Sequence, residues 1–232
     1  MFFLINNILQ VSNGTWRVLC YGGGIIMDRK QLFLAFEQHL LQDEKPSLYL
    51  RNMAAVGGLE ETYPFNLLID LQKVEQPPKF HPEGSVWEHT MLVVDLAAES
   101  RHLSENPRAF MWAALLHDLG KAVTTKIRGG RITAYDHDSR GAELAEDFLL
   151  EFTDDEDFIS QVVHLVRWHM QILYVNKKLP FADIDKMLME VPVGEIAMLS
   201  LCDRLGRGNM TELAQQTEIA NIKSFLDQCQ KG

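Results

Sequence analysis

Residues 86–101, VWEHTMLVVDLAAESR, and 108–121, RAFMWAALLHDLGK, decide the fold. Each is long enough for several helical turns, and apolar side chains occupy most of its circumference. A surface helix carries one apolar stripe, whereas a helix apolar nearly all round belongs inside. Both segments are therefore expected at the centre of a helical protein.

Working outward toward the C-terminus, helical patterns recur at about 139–151, 157–174, 181–190, 193–205 and 211–228. Toward the N-terminus, residues 28–43 (DRKQLFLAFEQHLLQD) place Leu32, Phe36 and Leu40 on one face behind Asp28, a good N-cap. PSLYLRNMAAV starts at Pro46 and stops at Gly57-Gly58. Only TKIRGGRITAYD reads as β. Its Gly129-Gly130 between β-formers predicts one short hairpin near 123–135. The fold class expected is all-α, a helical bundle with that single hairpin.

The chain of 232 residues is 47% hydrophobic and 23% charged, enough for a real core and unlike a disordered chain. The proline-rich stretch QPPKFHPEG marks the clearest internal boundary. It separates a helical flank, 27–80, from a core at 81–210, with a C-terminal helix at 211–232. MFFLINNIL is apolar, but no basic segment precedes it and Asn6 and Asn7 interrupt it. Residues 1–26 are expected to be a non-native start, with translation beginning at Met27, or a flexible extension.

Twenty-two basic residues against thirty-two acidic ones give a formal charge of −10, which argues against general binding to phosphate backbones. No apolar run reaches the roughly 20 residues of a membrane-spanning helix. Cys20, Cys202 and Cys229 are scattered and odd in number, as in a reduced, cytoplasmic protein. Eight carboxylates within 143–157 read as a solvated face.

Chemistry is indicated by charged groups in apolar helices, since these are rarely buried unless paired or bound to metal. His117-Asp118 closes the uncharged run AFMWAALL. Asp203 lies in EIAMLSLCDRLGR on the face of Ile196, Leu199 and Ser200, and needs a cation there. His89 and His169 lie in apolar helices, and Asp136 and Asp138 flank His137 at a helix start. His39, His81, His102 and His164 read as ordinary hydrogen-bonded core histidines. Imidazole and carboxylate together suit a divalent ion that activates water. No nucleophilic serine with a base partner is evident.

This pattern resembles the HD-domain metal-dependent phosphohydrolases, in which a histidine, a His-Asp pair and a distant aspartate come from different helices of an all-α bundle. FHPEGSVWEHTMLVVDLAA, AALLHDLGKAVTT, YDHDSRGAELAE and LVRWHM look like the HD domain of bacterial CCA-adding tRNA nucleotidyltransferases, over roughly residues 72–207. The resemblance implies His89, His117, Asp118 and Asp203 as metal ligands, with Asp118 bridging two ions if two bind. His137 and His169 would hold the second. Lys121 matches the HDxxK lysine and would assist at the phosphoryl group beside Asp118. Lys126, Arg128 and Arg131 make a local positive region suited to an anion, and Arg140 and Arg204 are further substrate-binding candidates.

The resemblance thus implies one or two divalent ions (Mn, Fe, Co, Ni, Zn or Mg). It also implies hydrolysis of a phosphomonoester or phosphodiester, of a nucleotide or 2′,3′-cyclic nucleotide, by metal-activated water. The alternative is a non-catalytic, metal-containing module that binds a nucleotide or an RNA end. The nucleotide-transfer head, a Gly-Ser-type loop followed by a DxD strand, is not found, so CCA addition is not predicted. The 28–80 helices are expected to shape the substrate mouth or a homodimer interface.

Overall fold

A computed structural model describes residues 19–21, 24–26 and 28–231, with side chains described from 28 onward. The expectation for residues 1–26 lies mostly outside these residues. Within it, strands β1 (Leu19–Tyr21) and β2 (Gly24–Ile26) pair antiparallel, an addition to the single hairpin expected.

Helix α1 (Arg29–Gln42) starts where Asp28 accepts hydrogen bonds from the Lys30 and Gln31 amides, and Leu32, Phe36 and Leu40 are buried as its spacing predicts. Helix α2 (Pro46–Val56) ends at Gly57, whose φ of 82° places it in the left-handed region. Asp95 ties the start of α2 to the bundle by accepting from the Ser47 amide at 3.0 Å and its hydroxyl at 2.7 Å. The short α3 (Asn66–Asp70) follows.

The two deciding segments become α4 (Val86–Ser100), capped by Ser85, and α5 (Pro107–Leu116), capped by Asn106. Every residue of α5 from Ala109 to Leu116 is buried. Helix α6 (Lys121–Thr124) leads into β3 (Lys126–Arg128) and β4 (Arg131–Thr133), joined through Gly129 and Gly130, both at positive φ. The bundle continues with α7 (His137–Leu150), α8 (Glu156–Trp168), α9 (Gln171–Asn176), α10 (Ile184–Glu190), α11 (Val193–Leu205) and α12 (Glu212–Cys229). The architecture is all-α.

Helix α5 packs between α4, α8 and α1, α11 packs on α4, and α7 lies along α8. One hydrophobic core runs through all of them, from Leu32 and Phe36 to Trp112, Phe148 and Phe225. Leu32, Phe33, Phe36 and Leu40 of α1 and Leu50 and Met53 of α2 join this core, while Leu34, Leu48 and Val56 stay exposed. The proline-rich loop is not an open linker. Glu75 and Ser85 form an antiparallel bridge and the Val86 amide donates to the Val74 carbonyl at 3.0 Å, so the loop's two ends are clasped together. The carboxylates of 143–157 are all exposed. Cys202 and Cys229 are buried free thiols. No helix among the described residues is long and apolar enough to cross a membrane.

Candidate metal centre

The sequence places its chemistry at helix ends, and the fold brings those ends together. His117 is the C-cap of α5 and His169 the C-cap of α8, while His137 opens α7. In all three, the ring Nδ1–H donates to the carbonyl three residues earlier: Ala114 at 2.9 Å, Val166 at 2.6 Å and Ala134 at 2.7 Å. Such a bond fixes the tautomer and leaves Nε2 as a lone-pair donor. For His169 this depends on the helix stopping at Trp168; the sequence pattern instead suggests one helix over 157–174, and the chain turns at 169–170.

The four imidazoles form one chain of rings, with centroids 5.5 Å apart for His89–His117, 5.4 Å for His117–His169 and 5.2 Å for His169–His137. Asp118 lies among them. Its Oδ2 is 3.3 Å from His117 Nε2 and 3.8 Å from His89 Nε2, while its Oδ1 is 3.7 Å from His137 Nε2 and 3.9 Å from His169 Nε2. Asp203 Oδ1, from α11, is 3.0 Å from His89 Nε2. All six residues singled out as metal-ligating in the sequence therefore meet in one place.

They also fit a cation on chemical grounds. His117 Nε2, His137 Nε2 and Asp118 Oδ1 are buried without a hydrogen-bond partner, and Asp118 Oδ2 has only the Lys121 ammonium, at 2.7 Å. Orphaned buried acceptors cost free energy unless something positive satisfies them. Besides His81, Glu83 and His89 at the rim, two groups of ligand atoms at the centre are close enough to hold an ion: His89, His117 and Asp118, and Asp118, His137 and His169. Asp118 belongs to both.

The electrostatics point the same way. Burial alone would lower the His89 imidazole, but the hydrogen bonds of Asp203 and Glu83 outweigh it and raise it to about 9, so this position attracts positive charge. Burial drives His169 down to about 4, with His137 and His117 adding to the effect, which keeps the ring neutral. His137 is lowered mainly by burial. Burial would raise the carboxyl of Asp118, but Lys121 and His117 hold it well below its usual range. Asp203 is likewise held low, by His89 against its burial. His137 and His169, neutral and facing ionised Asp118, are in the protonation states that metal binding requires, whereas His89 would exchange its proton for the ion.

Lys121 Nζ lies 2.7 Å from Asp118 Oδ2, an ion pair at the edge of the cluster. It also donates to Gln76 Oε1 at 2.9 Å. Lys126, Arg128 and Arg131 are exposed on the hairpin that follows α6. The other two cations behave differently. Arg204 is buried and bonded to Glu218 at 2.9 Å, and Arg140 is exposed and paired with Glu143; no hydrogen bond or ion pair among the described residues joins either to the cluster.

The clasped loop 75–85 supplies residues that sequence reasoning missed. Glu83 is half-buried as a residue, but its side chain is only 4% exposed. One oxygen lies 2.8 Å from His81 Nδ1 and 3.1 Å from His89 Nδ1, and the other accepts from the Gly208 amide at 3.0 Å. His81 is thus part of the rim, not an ordinary core histidine. His102 is exposed, and His39 and His164 are half-buried away from the cluster. The available signal was position: the loop runs straight into the N-cap of the helix that carries His89. Carboxylates behind a ligand imidazole raise its basicity and fix its orientation. Glu83→Gln should therefore weaken metal affinity about 10–100-fold with the fold intact, measured by chelator competition. Unchanged affinity would leave Glu83 only the task of pinning Gly208.

Comparison with known proteins places this geometry in context. The profile of the HD domain matches residues 86–222, more than half of the chain. The multifunctional CCA protein of Actinobacillus pleuropneumoniae serotype 5b is 34% identical over 125 residues, covering 52% of this chain and 29% of that protein. That of Pasteurella multocida is 37% identical over 98 residues, 42% of this chain and 23% of the relative. That of Methylococcus capsulatus is 40% identical over 84 residues, 36% of this chain and 18% of the relative. The matched part is thus less than a third of the length of each of these relatives.

Proposed function

Because this chain belongs to the HD-domain family, we propose that it is a divalent-metal-dependent phosphohydrolase acting on a phosphomonoester or phosphodiester of a nucleotide. 2′,3′-Cyclic nucleotides are the first substrates to try. The observation that carries the proposal is the pair of ligand groups sharing Asp118. His89, His117, Asp118 and Asp203 would hold one ion, and Asp118, His137 and His169 a second. Four imidazoles with carboxylates suit manganese, iron, cobalt, nickel or zinc better than the all-oxygen preference of magnesium.

An ion bound there lowers the pKa of water and polarises a phosphoryl oxygen. The rest is the work of this chain's residues. The three Nδ1–H donors keep His117, His137 and His169 in one tautomer and one orientation. Lys121, steadied by Gln76, offers its ammonium to charge growing on the phosphoryl oxygens. The exposed cations of the β3–β4 hairpin favour approach of an anion to an otherwise acidic protein.

Element analysis of protein purified without chelator, alongside turnover of bis(p-nitrophenyl) phosphate and 2′,3′-cyclic nucleotides, tests the proposal. About two equivalents of metal are expected in wild type, and His169→Ala should lose about one of them, with most of the turnover. Metal retained with no turnover of any ester would favour the binding module for a nucleotide or RNA end. No uptake of added manganese or zinc would reject both.

A further inference from the structure

We propose that Arg207 is a substrate-binding residue, which takes an oxygen of an anionic phosphate ester at the Asp203 side of the cluster, as Lys121 does at the Asp118 side. The assignment rests on the phosphohydrolase reading for its substrate class, but its evidence is separate.

Helix α11 ends at Leu205, and Arg207 follows between two glycines. Both glycines are pressed against the site's supports. A Cβ on Gly206 would lie 2.6 Å from the Val93 side chain of α4 and 3.0 Å from the Cys202 carbonyl. A Cβ on Gly208 would lie 3.1 Å from the Cβ of Glu83, whose carboxylate accepts from the Gly208 amide at 3.0 Å and also contacts His89. The backbone on either side of Arg207 is therefore fixed against the wall of the centre.

Its charge is not used up. Arg207 Nε is buried without a hydrogen-bond partner. Every other arginine among the described residues that is not on the open surface has a carboxylate or carbonyl partner. Arg204, one turn earlier, is tied to Glu218 at 2.9 Å. Arg207 is near enough to Asp203 to help hold its carboxyl low, yet makes no ion pair with it. A buried guanidinium N–H without an acceptor is costly. A planar fork of donors beside a metal-ligating carboxylate matches the non-bridging oxygens of a phosphate ester. Lys121 already engages Asp118 and Gln76 and keeps one N–H for a substrate, whereas among the described residues the guanidinium of Arg207 has all its donors to spare.

The test uses the full chain loaded with zinc, as wild type, Arg207→Gln and Arg207→Lys. Binding of inorganic phosphate is followed by calorimetry, with metal content and hydrolysis of bis(p-nitrophenyl) phosphate measured on the same samples. Arg207→Gln should bind phosphate at least about tenfold more weakly. It should raise KM more than it lowers kcat and keep its metal. Arg207→Lys should recover part of the loss, since it restores charge without the fork. Equal phosphate binding by Arg207→Gln and wild type overturns the assignment, and so does loss of metal from Arg207→Gln, which would make Arg207 a support for Asp203. Wild type that binds no phosphate also overturns it. Wild type that binds phosphate through Arg207 but hydrolyses no ester upholds the assignment and removes the hydrolase reading.

Discussion

Asp118→Asn should abolish metal binding and turnover together while the helices remain folded. The expectation follows from where the two oxygens point. Oδ2 faces His117 and His89, at 3.3 and 3.8 Å from their Nε2 atoms, and Oδ1 faces His137 and His169, at 3.7 and 3.9 Å. Of the two ligand groups that meet at Asp118, each of these histidines serves one and Asp118 serves both. Asparagine keeps the size of the side chain, so packing around the end of α5 is retained. It removes the negative charge and turns one acceptor into an N–H donor aimed at lone pairs or cations. On the proposed function, loss of both ions would remove the activation of water and the stabilisation of phosphoryl charge, so turnover should fall by at least about 10³-fold. Lys121 loses its ion pair but keeps Gln76, so it need not collapse into the cluster. Element analysis, ester hydrolysis and circular dichroism on one preparation decide the matter. A variant that keeps one full equivalent and normal turnover would show that Asp118 does not link the two groups.

The contrast with a ligand from one group separates a bridged pair of sites from a single one. His169→Ala should lose one ion and Asp118→Asn both. If His169→Ala empties the whole centre, the two groups form one cooperative site, and the count of ions must be revised.

Much of this was legible in the sequence because local chemistry specified it. Helices apolar on every side have to be interior, and a His-Asp pair closing such a helix has to be satisfied by something positive. Metal-capable histidines on several helices then have few ways to be buried other than together. What was hidden depends on contacts between residues far apart in the chain. Nothing local distinguishes Glu83 from a loop carboxylate on the surface; its role appears only once the clasp at Glu75 and Ser85 folds the loop back over α4. Prolines in that loop suggest a boundary, yet the same stiffness lets a short segment close over a site. Sequence alone picks Arg204 and passes over Arg207. The partner that distinguishes them, Glu218, comes from α12. The break after Trp168 carries no proline or glycine, so apolar periodicity runs across it.

The second large effect concerns a residue without a side chain. Gly120→Ala should cost on the order of 3 kcal/mol or more, seen as roughly 6–12 °C in Tm. The cause is not conformational freedom, because the φ of Gly120 is −60°, which alanine adopts readily. The cause is the approach of two backbones. An added Cβ would fall 2.0 Å from the His137 carbonyl oxygen and 2.6 Å from the Gly141 amide nitrogen. Neither atom can rotate away as a side chain would. Relief requires the turn after His117-Asp118 to part from the first turn of α7, and that turn carries His137, 3.7 Å from Asp118 Oδ1. Helix α7 is in turn held along α8, which ends in His169, so the parting strains the whole second ligand group. The variant should therefore lose the ion at His137 and His169 at temperatures well below its melting point. Gly194→Ala provides the comparison: a Cβ there meets nothing within 4 Å, and inside α11 it should stabilise by up to about 1 kcal/mol. If Gly120→Ala melts with wild type and keeps both ions, contact between these two turns is not what sets the spacing of the centre.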